Sequence, residues 1–274
     1  MPSGRAARLT LVPAKLDGPR PEVIFLDVGD TMVRAHPSWA AVYRHVLAGF
    51  GVVVDEARLG VALEHTFGEG GDHPEGPFEA SAEASYQRLK SFDARVLAAL
   101  GQSPQPDDFF RALESAFGER SAWWVFEDVP AALATMRESG FRLGVISNWS
   151  WSAPELLHTL ELARHFEMLV ISDRVGYLKP HSGIFEHALA VAGISAAQAI
   201  HVGDSVRADV RGARSAGIRP VLIDRHPDAH GRPDVSAATG GDGCAVDADV
   251  PVIRDLNGLL DLLDVPRPPG VAAP

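Results

Sequence analysis

The chain has 274 residues, 46% of them apolar, and its 25 Lys and Arg against 36 Asp and Glu leave a net charge of −11. That length can bury a large core; the acid excess, with no basic run, argues against a nucleic-acid partner. No apolar run approaches the roughly 18 residues of a membrane span, and a single cysteine, Cys244, excludes an internal disulfide and any cysteine-cluster metal site.

Residues 1–20 carry Arg5, Arg8, Lys15 and Arg20, and their one apolar run, residues 9–12, is too short for a secretory signal. They read as a disordered tail on a cytoplasmic protein. The first strand is expected at Val23, Ile24, Phe25 and Leu26, which stops at Asp27. Between residues 37 and 120 no buried strand is apparent. Helical spacings replace it: Val42, Val46 and Leu47; Leu59, Leu63 and Phe67; Tyr86, Leu89 and Phe92; Phe109, Leu113 and Phe117. The Gly/Pro-rich stretch at 68–77 reads as a loop within this lobe, and hinges are expected near 33–37 and 118–125. Beyond it Asp128 is the expected N-cap of a helix with Pro130 in its first turn and Gly140 at its end.

Four more apolar runs follow. Residues 143–146 stop at Ser147 and Asn148, 168–171 at Ser172 and Asp173, 200–203 at Asp204, and 221–223 at Asp224. Helices are expected between them, one with Ile184, Ala188 and Ala192 on its apolar stripe and one over 206–216. An edge strand at 250–253 and a closing helix at 256–263 complete the reading. Short Val/Ile-rich strands alternating with helices imply an α/β fold, a Rossmann-like doubly wound parallel sheet. The core is expected over 21–36 and 121–264, the inserted helical lobe over 37–120, and a tail over 265–274. In such sheets ligands bind beyond the carboxyl ends of the strands, where Asp27, Ser147, Asn148 and Asp204 fall.

Four elements in order then carry chemistry: Asp27 in the turn Val28-Gly29-Asp30-Thr31, Ser147-Asn148, Lys179-Pro180, and Gly203-Asp204 followed by Asp209. Each has a bland reading, as a turn carboxylate, a solvated lysine or a helix-surface acid. Together they resemble the four motifs of the haloacid dehalogenase-like hydrolase superfamily, over about residues 23–263, and the helical insertion resembles its C1 cap. The resemblance implies a mobile helical lid over the core. It also implies a nucleophilic Asp27 that forms an aspartyl-phosphate, Lys179 as a charge partner, and Mg²⁺ held by Asp27, the Gly29 carbonyl and Asp204. Asp209 would orient Lys179 or reach the metal through water. Ser147 would bind phosphoryl oxygens and Asn148 shape their pocket. The implied partner is a small phosphorylated molecule. This is chemically sensible: a carboxylate is a weak nucleophile that needs in-line placement, a phosphate beside it needs positive charge, and Mg²⁺ prefers oxygen ligands.

One residue departs from that pattern. Phosphatases of the superfamily place a general-acid Asp two residues after the nucleophile, where this chain has Gly29 and puts Asp30 next. Three outcomes stay open: Asp30 substitutes for the acid, the leaving group needs none or the cap supplies one, or the protein is a weak enzyme or a phosphoester-binding pseudoenzyme. A 2-haloacid dehalogenase, which needs no such acid, is the second enzymatic reading, but Gly203-Asp204 with Asp209 looks like a metal-binding motif. Trp149 is a candidate wall of the substrate pocket, with core burial as its alternative. Tyr86, Arg88 and Lys90 are candidate cap residues for specificity. His201, inside an apolar strand, reads as a hydrogen-bonded core histidine, and His226 and His230 as surface-loop residues.

Overall fold

The computed structural model describes residues 16–68, 76–225, 246, 247 and 249–268. Most of the expected N-terminal tail, most of the 68–77 loop, His226, His230, Cys244 and the end of the C-terminal tail lie outside the described residues. Among the described residues no helix is long and apolar enough to cross a membrane.

The core is a six-stranded parallel sheet. Its strands are β1 (Val23–Leu26), β4 (Arg142–Ser147), β5 (Met168–Ile171), β6 (Ala199–Gly203), β7 (Arg219–Ile223) and β8 (Val252–Ile253), in the order β5-β4-β1-β6-β7-β8. β1 lies at the centre, paired with β4 on one side and β6 on the other. All four of its residues are buried, which is why it reads as an unbroken apolar run rather than an alternating one. The alternation is still present between faces. Ile24 and Leu26 join one cluster with Leu133 and Leu259, from α5 (Val129–Glu138) and α10 (Leu256–Leu262). Val23 and Phe25 join the opposite cluster with Ile184 and Phe185 of α8 (Ser182–Ala192). Helices on both faces leave only the strand ends open to a ligand.

Asp128 begins α5, as expected, but its side chain makes no cap bond there. Instead its carboxylate takes the Arg225 guanidinium bidentately at 2.8 and 3.1 Å and accepts from the Leu256 N–H at 2.7 Å. The carboxylate thus serves a buried arginine and the first N–H of α10 rather than its own helix. The helix expected over 206–216 begins as a π-turn, Val206–Arg211, and continues as α9 (Gly212–Ser215).

Between β1 and β4 run α1 (Trp39–Gly49), α2 (Glu56–Gly68), α3 (Ala82–Ala99) and α4 (Asp107–Gly118). They enclose an apolar cluster of their own, including Leu47, Leu59, Leu97, Phe109 and Leu113. Ser38 and Ser81 cap α1 and α3 by accepting from Ala41 N and Ala84 N. The two connections to the core are themselves paired: β2 (Val33–Ala35) runs antiparallel to β3 (Trp123–Val125). Segments of three residues are too short to show a period, so this ribbon falls where the sequence suggested only hinges.

Among the described residues, the helical lobe buries one acid. Asp93 accepts a hydrogen bond from the Tyr43 hydroxyl, and burial above all, with Glu114 adding to it and Tyr43 opposing, pushes its carboxyl up to about 7. Between about pH 4 and pH 7 the folded chain therefore holds a proton that the unfolded chain has released, so this group's contribution to stability is present below pH 4 and is lost as the pH rises to 7. The full loss is on the order of 4 kcal/mol. Thermal melts of Asp93→Asn and the parent chain across pH 5–8 are expected to differ in slope, with the parent losing stability more steeply. Parallel curves would show that Asp93 does not titrate in this range.

Candidate active site

Asp27 follows the last residue of β1, Ser147 closes β4 and Asp204 follows β6, so adjacent strands deliver all three to one edge of the sheet. Lys179 arrives from the connection before α8, and Asn148 anchors that connection: its Nδ2 donates to the Lys179 carbonyl at 2.9 Å and its Oδ1 accepts from the Lys179 N–H at 2.7 Å. Asn148 thus shapes the site through the lysine's backbone.

The Lys179 ammonium is buried. It donates to Asp27 Oδ1 at 2.7 Å, Asp209 Oδ1 at 2.6 Å and the Ile146 carbonyl at 3.1 Å. Burial alone would lower its pKa, but the charges of Asp209 and Asp27 and their hydrogen bonds hold it above the ordinary value. Burial would raise the Asp209 carboxyl; the Lys179 charge and the His201 hydrogen bond outweigh it and keep that carboxyl well below the usual range. Asp27 is raised, chiefly by desolvation, with Lys179 and Ser147 opposing and Asp209 adding to the rise.

Asp209 is brought inward by the π-turn. Both Asp209 N–H and Val210 N–H donate to the Ser205 carbonyl, at 2.9 and 3.1 Å, which widens the turn. The carboxylate then folds back over Gly203, where Oδ2 accepts from Ser205 N–H at 3.0 Å and Oδ1 meets His201 Nε2 at 2.7 Å.

Asp27, Asp204 and Asp209 each offer a carboxylate oxygen, all within 4.8 Å of one another. The Thr31 hydroxyl donates to Asp204 Oδ1 at 3.4 Å. The Asp204 carboxyl is pushed well above its usual pKa by desolvation first, then by Asp209, Asp27 and Asp30, with only Lys179 opposing. Asp27 and Asp204, hard oxygen donors whose ionisation is held back by burial and then by neighbouring carboxylates, are the kind of donors a small divalent cation stabilises. Asp209 already serves Lys179, His201 and Ser205, so Asp27 and Asp204 are the better placed direct ligands.

Asp30 has φ +47°, a left-handed conformation that Asp tolerates better than most residues. Its carboxylate lies close enough to Asp204 to raise that group. Gly29 has an ordinary φ, and a Cβ built there would sit 3.4 Å from Cζ3 of Trp149. Trp149 is half-buried, with its ring 5.1 Å from that of Trp123. The indole therefore flanks the position from which a side chain at residue 29 would project.

The cap candidates separate. Tyr86 and Lys90 both bind Asp107 within the helical lobe, at 2.8 and 2.6 Å. Arg88 reaches across to core Asp173 at 3.1 Å. Ser85, which sequence reasoning missed, donates to Asp173 and accepts from the Trp151 N–H at 2.9 Å. A serine inside a helix has no spacing signal that could have pointed to it.

The haloacid dehalogenase-like hydrolase family matches residues 21–217. The chain is 31% identical over 224 residues to the phosphoserine phosphatase of Thermus thermophilus, covering 74% of this chain and 89% of that one. It is 28% identical over 212 residues to the glyceraldehyde 3-phosphate phosphatase of Methanopyrus kandleri, covering 74% and 84%. Two solved structures share the fold. A HAD-hydrolase of Bacillus subtilis bound to magnesium superposes with a TM-score of 0.69 at 16% identity, over 90% of this chain and 100% of that one. The L-2-haloacid dehalogenase of Xanthobacter autotrophicus superposes with 0.66 at 15% identity, over 92% and 100%. The chain belongs to the haloacid dehalogenase-like hydrolase family and is a hydrolase.

The approach of Asp209 to Gly203 is testable. A Cβ at residue 203 would fall 2.1 Å from Asp209 Cγ, so one of the two must move. Gly203→Ala is expected to destabilise the fold by about 1–3 kcal/mol, read from the denaturant midpoint. An unchanged midpoint would mean that Asp209 can leave its place over the strand at no cost.

Proposed function

We propose that this hydrolase is a Mg²⁺-dependent phosphatase that cleaves a small phosphate monoester through an aspartyl-phosphate on Asp27. The observation that carries the reading is the trio of carboxylates within 4.8 Å at the sheet edge, with one buried ammonium between two of them. A bound Mg²⁺ would supply the positive charge that lets a phosphate dianion approach carboxylates. The phosphatase relatives support a small phosphorylated substrate.

Asp27 attacks phosphorus; the bond to the ester oxygen breaks and its electron pair leaves with that oxygen. Water then attacks the same phosphorus and the Asp27 oxygen–phosphorus bond breaks, which regenerates the carboxylate and releases inorganic phosphate; the proton the water gives up offsets the one the departed oxygen anion takes up. Lys179 fixes the Asp27 rotamer through Oδ1 and supplies positive charge beside the incoming phosphoryl group. Ser147 binds phosphoryl oxygens, Asn148 keeps Lys179 in register, and Trp149 walls the leaving-group side. The helical lobe is the cover that excludes water, touching the core through Ser85 and Arg88. Asp209 orients Lys179. Asp30 belongs to the Asp204 side of the site rather than to the leaving-group side.

Asp27→Asn keeps size but loses nucleophile and ligand. In a panel of phosphate esters it is expected to lose essentially all turnover while still folding cooperatively, and chelator should remove most parent activity. Full activity in chelator, with halide released from a 2-haloacid, would replace this reading with the dehalogenase one.

The missing acid makes a second prediction. A phenolate leaves with little help, whereas an alkoxide gains much from a positioned proton, typically about 10²–10⁴ in rate. The parent chain should therefore favour aryl over alkyl phosphates. Gly29→Asp is compatible with the backbone at residue 29 and should raise alkyl turnover selectively, whereas Asp30→Asn should leave the alkyl-to-aryl ratio unchanged. A ratio that collapses in Asp30→Asn would make Asp30 the acid.

A further inference from the structure

His201 sits in the middle of β6, fully buried, on the face that turns toward α8. The ring of Phe185 meets its edge at 5.3 Å and 83°. Its alternating neighbours on that face are Ala199 and Gly203, and the intervening Ile200 and Val202 are core residues. Such a position asks for an aliphatic side chain. The imidazole is costly there, because its Nδ1 has no hydrogen-bond partner among the described residues. Its other nitrogen, Nε2, lies 2.7 Å from Asp209 Oδ1. A carboxylate only accepts, so Nε2 carries the hydrogen and donates.

The same Oδ1 accepts from Lys179 Nζ at 2.6 Å. One oxygen thus divides its acceptor capacity between an ammonium and an imidazole, while Oδ2 is held by Ser205 N–H. We infer that His201 is a positioning residue: its hydrogen bond locks the Asp209 carboxylate and limits its hold on Lys179, so that the ammonium stays centred between Asp209 and Asp27. Without that donor the carboxylate is tied by Ser205 N–H and the ammonium alone. Lys179 then shifts toward Asp209 and away from the nucleophile. The inference rests on the proposed function for its catalytic consequence but not for its geometry.

Three substitutions separate this role from simple core packing. His201→Gln places an amide N–H where Nε2 stands. His201→Asn carries the same group one methylene short of Asp209. His201→Leu fills the space without a donor. Among variants that retain the parent melting temperature to within a few degrees, Asn and Leu are expected to lower kcat on the best phosphate ester by roughly 10- to 100-fold, and Gln to restore most of it. A structural role would rank Leu at least as high as Gln. The independent readout is the ¹⁵N signal of the Lys179 ammonium. The chain has three lysines, Lys15, Lys90 and Lys179, and the buried one exchanges its protons slowly enough to be seen. That signal should move in Leu and Asn and stay in Gln. Folded Leu and Asn variants with parent kcat and an unmoved signal overturn the inference, as does a Gln variant that matches Leu in both. If the parent chain turns over no ester, the phosphatase reading fails, and the lysine signal alone decides the role of His201.

Discussion

The Lys179 ammonium, held out of water 2.7 Å from Asp27 and 2.6 Å from Asp209, is the contact on which the rest of the site depends. A buried charge is tolerated only with close partners, and removing one partner leaves the other charge uncompensated. Here the partners come from separate parts of the chain. Asp27 follows the central strand, Asp209 sits in the π-turn after β6, and the Ile146 carbonyl belongs to β4. A single ammonium therefore fixes the relative heights of three strand ends. The two hydrogen bonds from Asn148 to the backbone of Lys179 extend the same constraint to the loop after β4.

The parallel sheet explains why so much of this was visible in the sequence. Strands buried on both faces must be apolar to their ends, so a polar residue that stops each run marks the open edge. Asp27, Ser147 and Asp204 were legible for that reason, and Lys179 and Asp209 through their order and spacing relative to them. What was not legible depends on contacts that no local pattern encodes. The β2–β3 ribbon is too short for a period. Asp128 carries the signature of a helix cap, yet its carboxylate is spent on Arg225 and Leu256 N–H, groups 97 and 128 residues away in the chain. The helix expected after Asp204 opens as a π-turn, since only a wider turn brings Asp209 over Gly203.

The order Gly29-Asp30 changes what the first turn can do. A left-handed residue is needed at position 30, where φ is +47°. Asp occupies it at some cost in backbone energy, and its carboxylate lies within electrostatic reach of Asp204. Residue 29 has an ordinary conformation, so nothing in the backbone requires glycine there. What stands beside it is the Trp149 ring, 3.4 Å from where a Cβ would be. The turn thus adds negative charge on the Asp204 side of the site and leaves an aromatic surface where the side chain of residue 29 would project. A leaving group that needs a proton is poorly served by such a surface, and one that leaves as a stable anion is not.

Trp149 also joins this chemistry to the helical lobe. Trp39 of α1 packs edge-on against Trp123 of β3 at 5.4 Å, and Trp123 packs against Trp149 at 5.1 Å. On the far side of the same loop, Ser85 of α3 accepts from the Trp151 N–H while donating to Asp173. Two separate contacts from the lobe therefore converge on residues 149–151, directly after Ser147 and Asn148. Moving the lobe must either break the Ser85 hydrogen bonds, which would expose the buried carboxylate of Asp173, or carry the loop along with it. Since Asn148 in that loop holds Lys179, the second route would disturb the ammonium between Asp27 and Asp209, a buried charge with two carboxylate partners. Asp173 is therefore the point where lobe and core meet most closely: Ser85 and Arg88 of α3 both bind its carboxylate, while the loop they border stays tied to the core through Asn148 and Lys179.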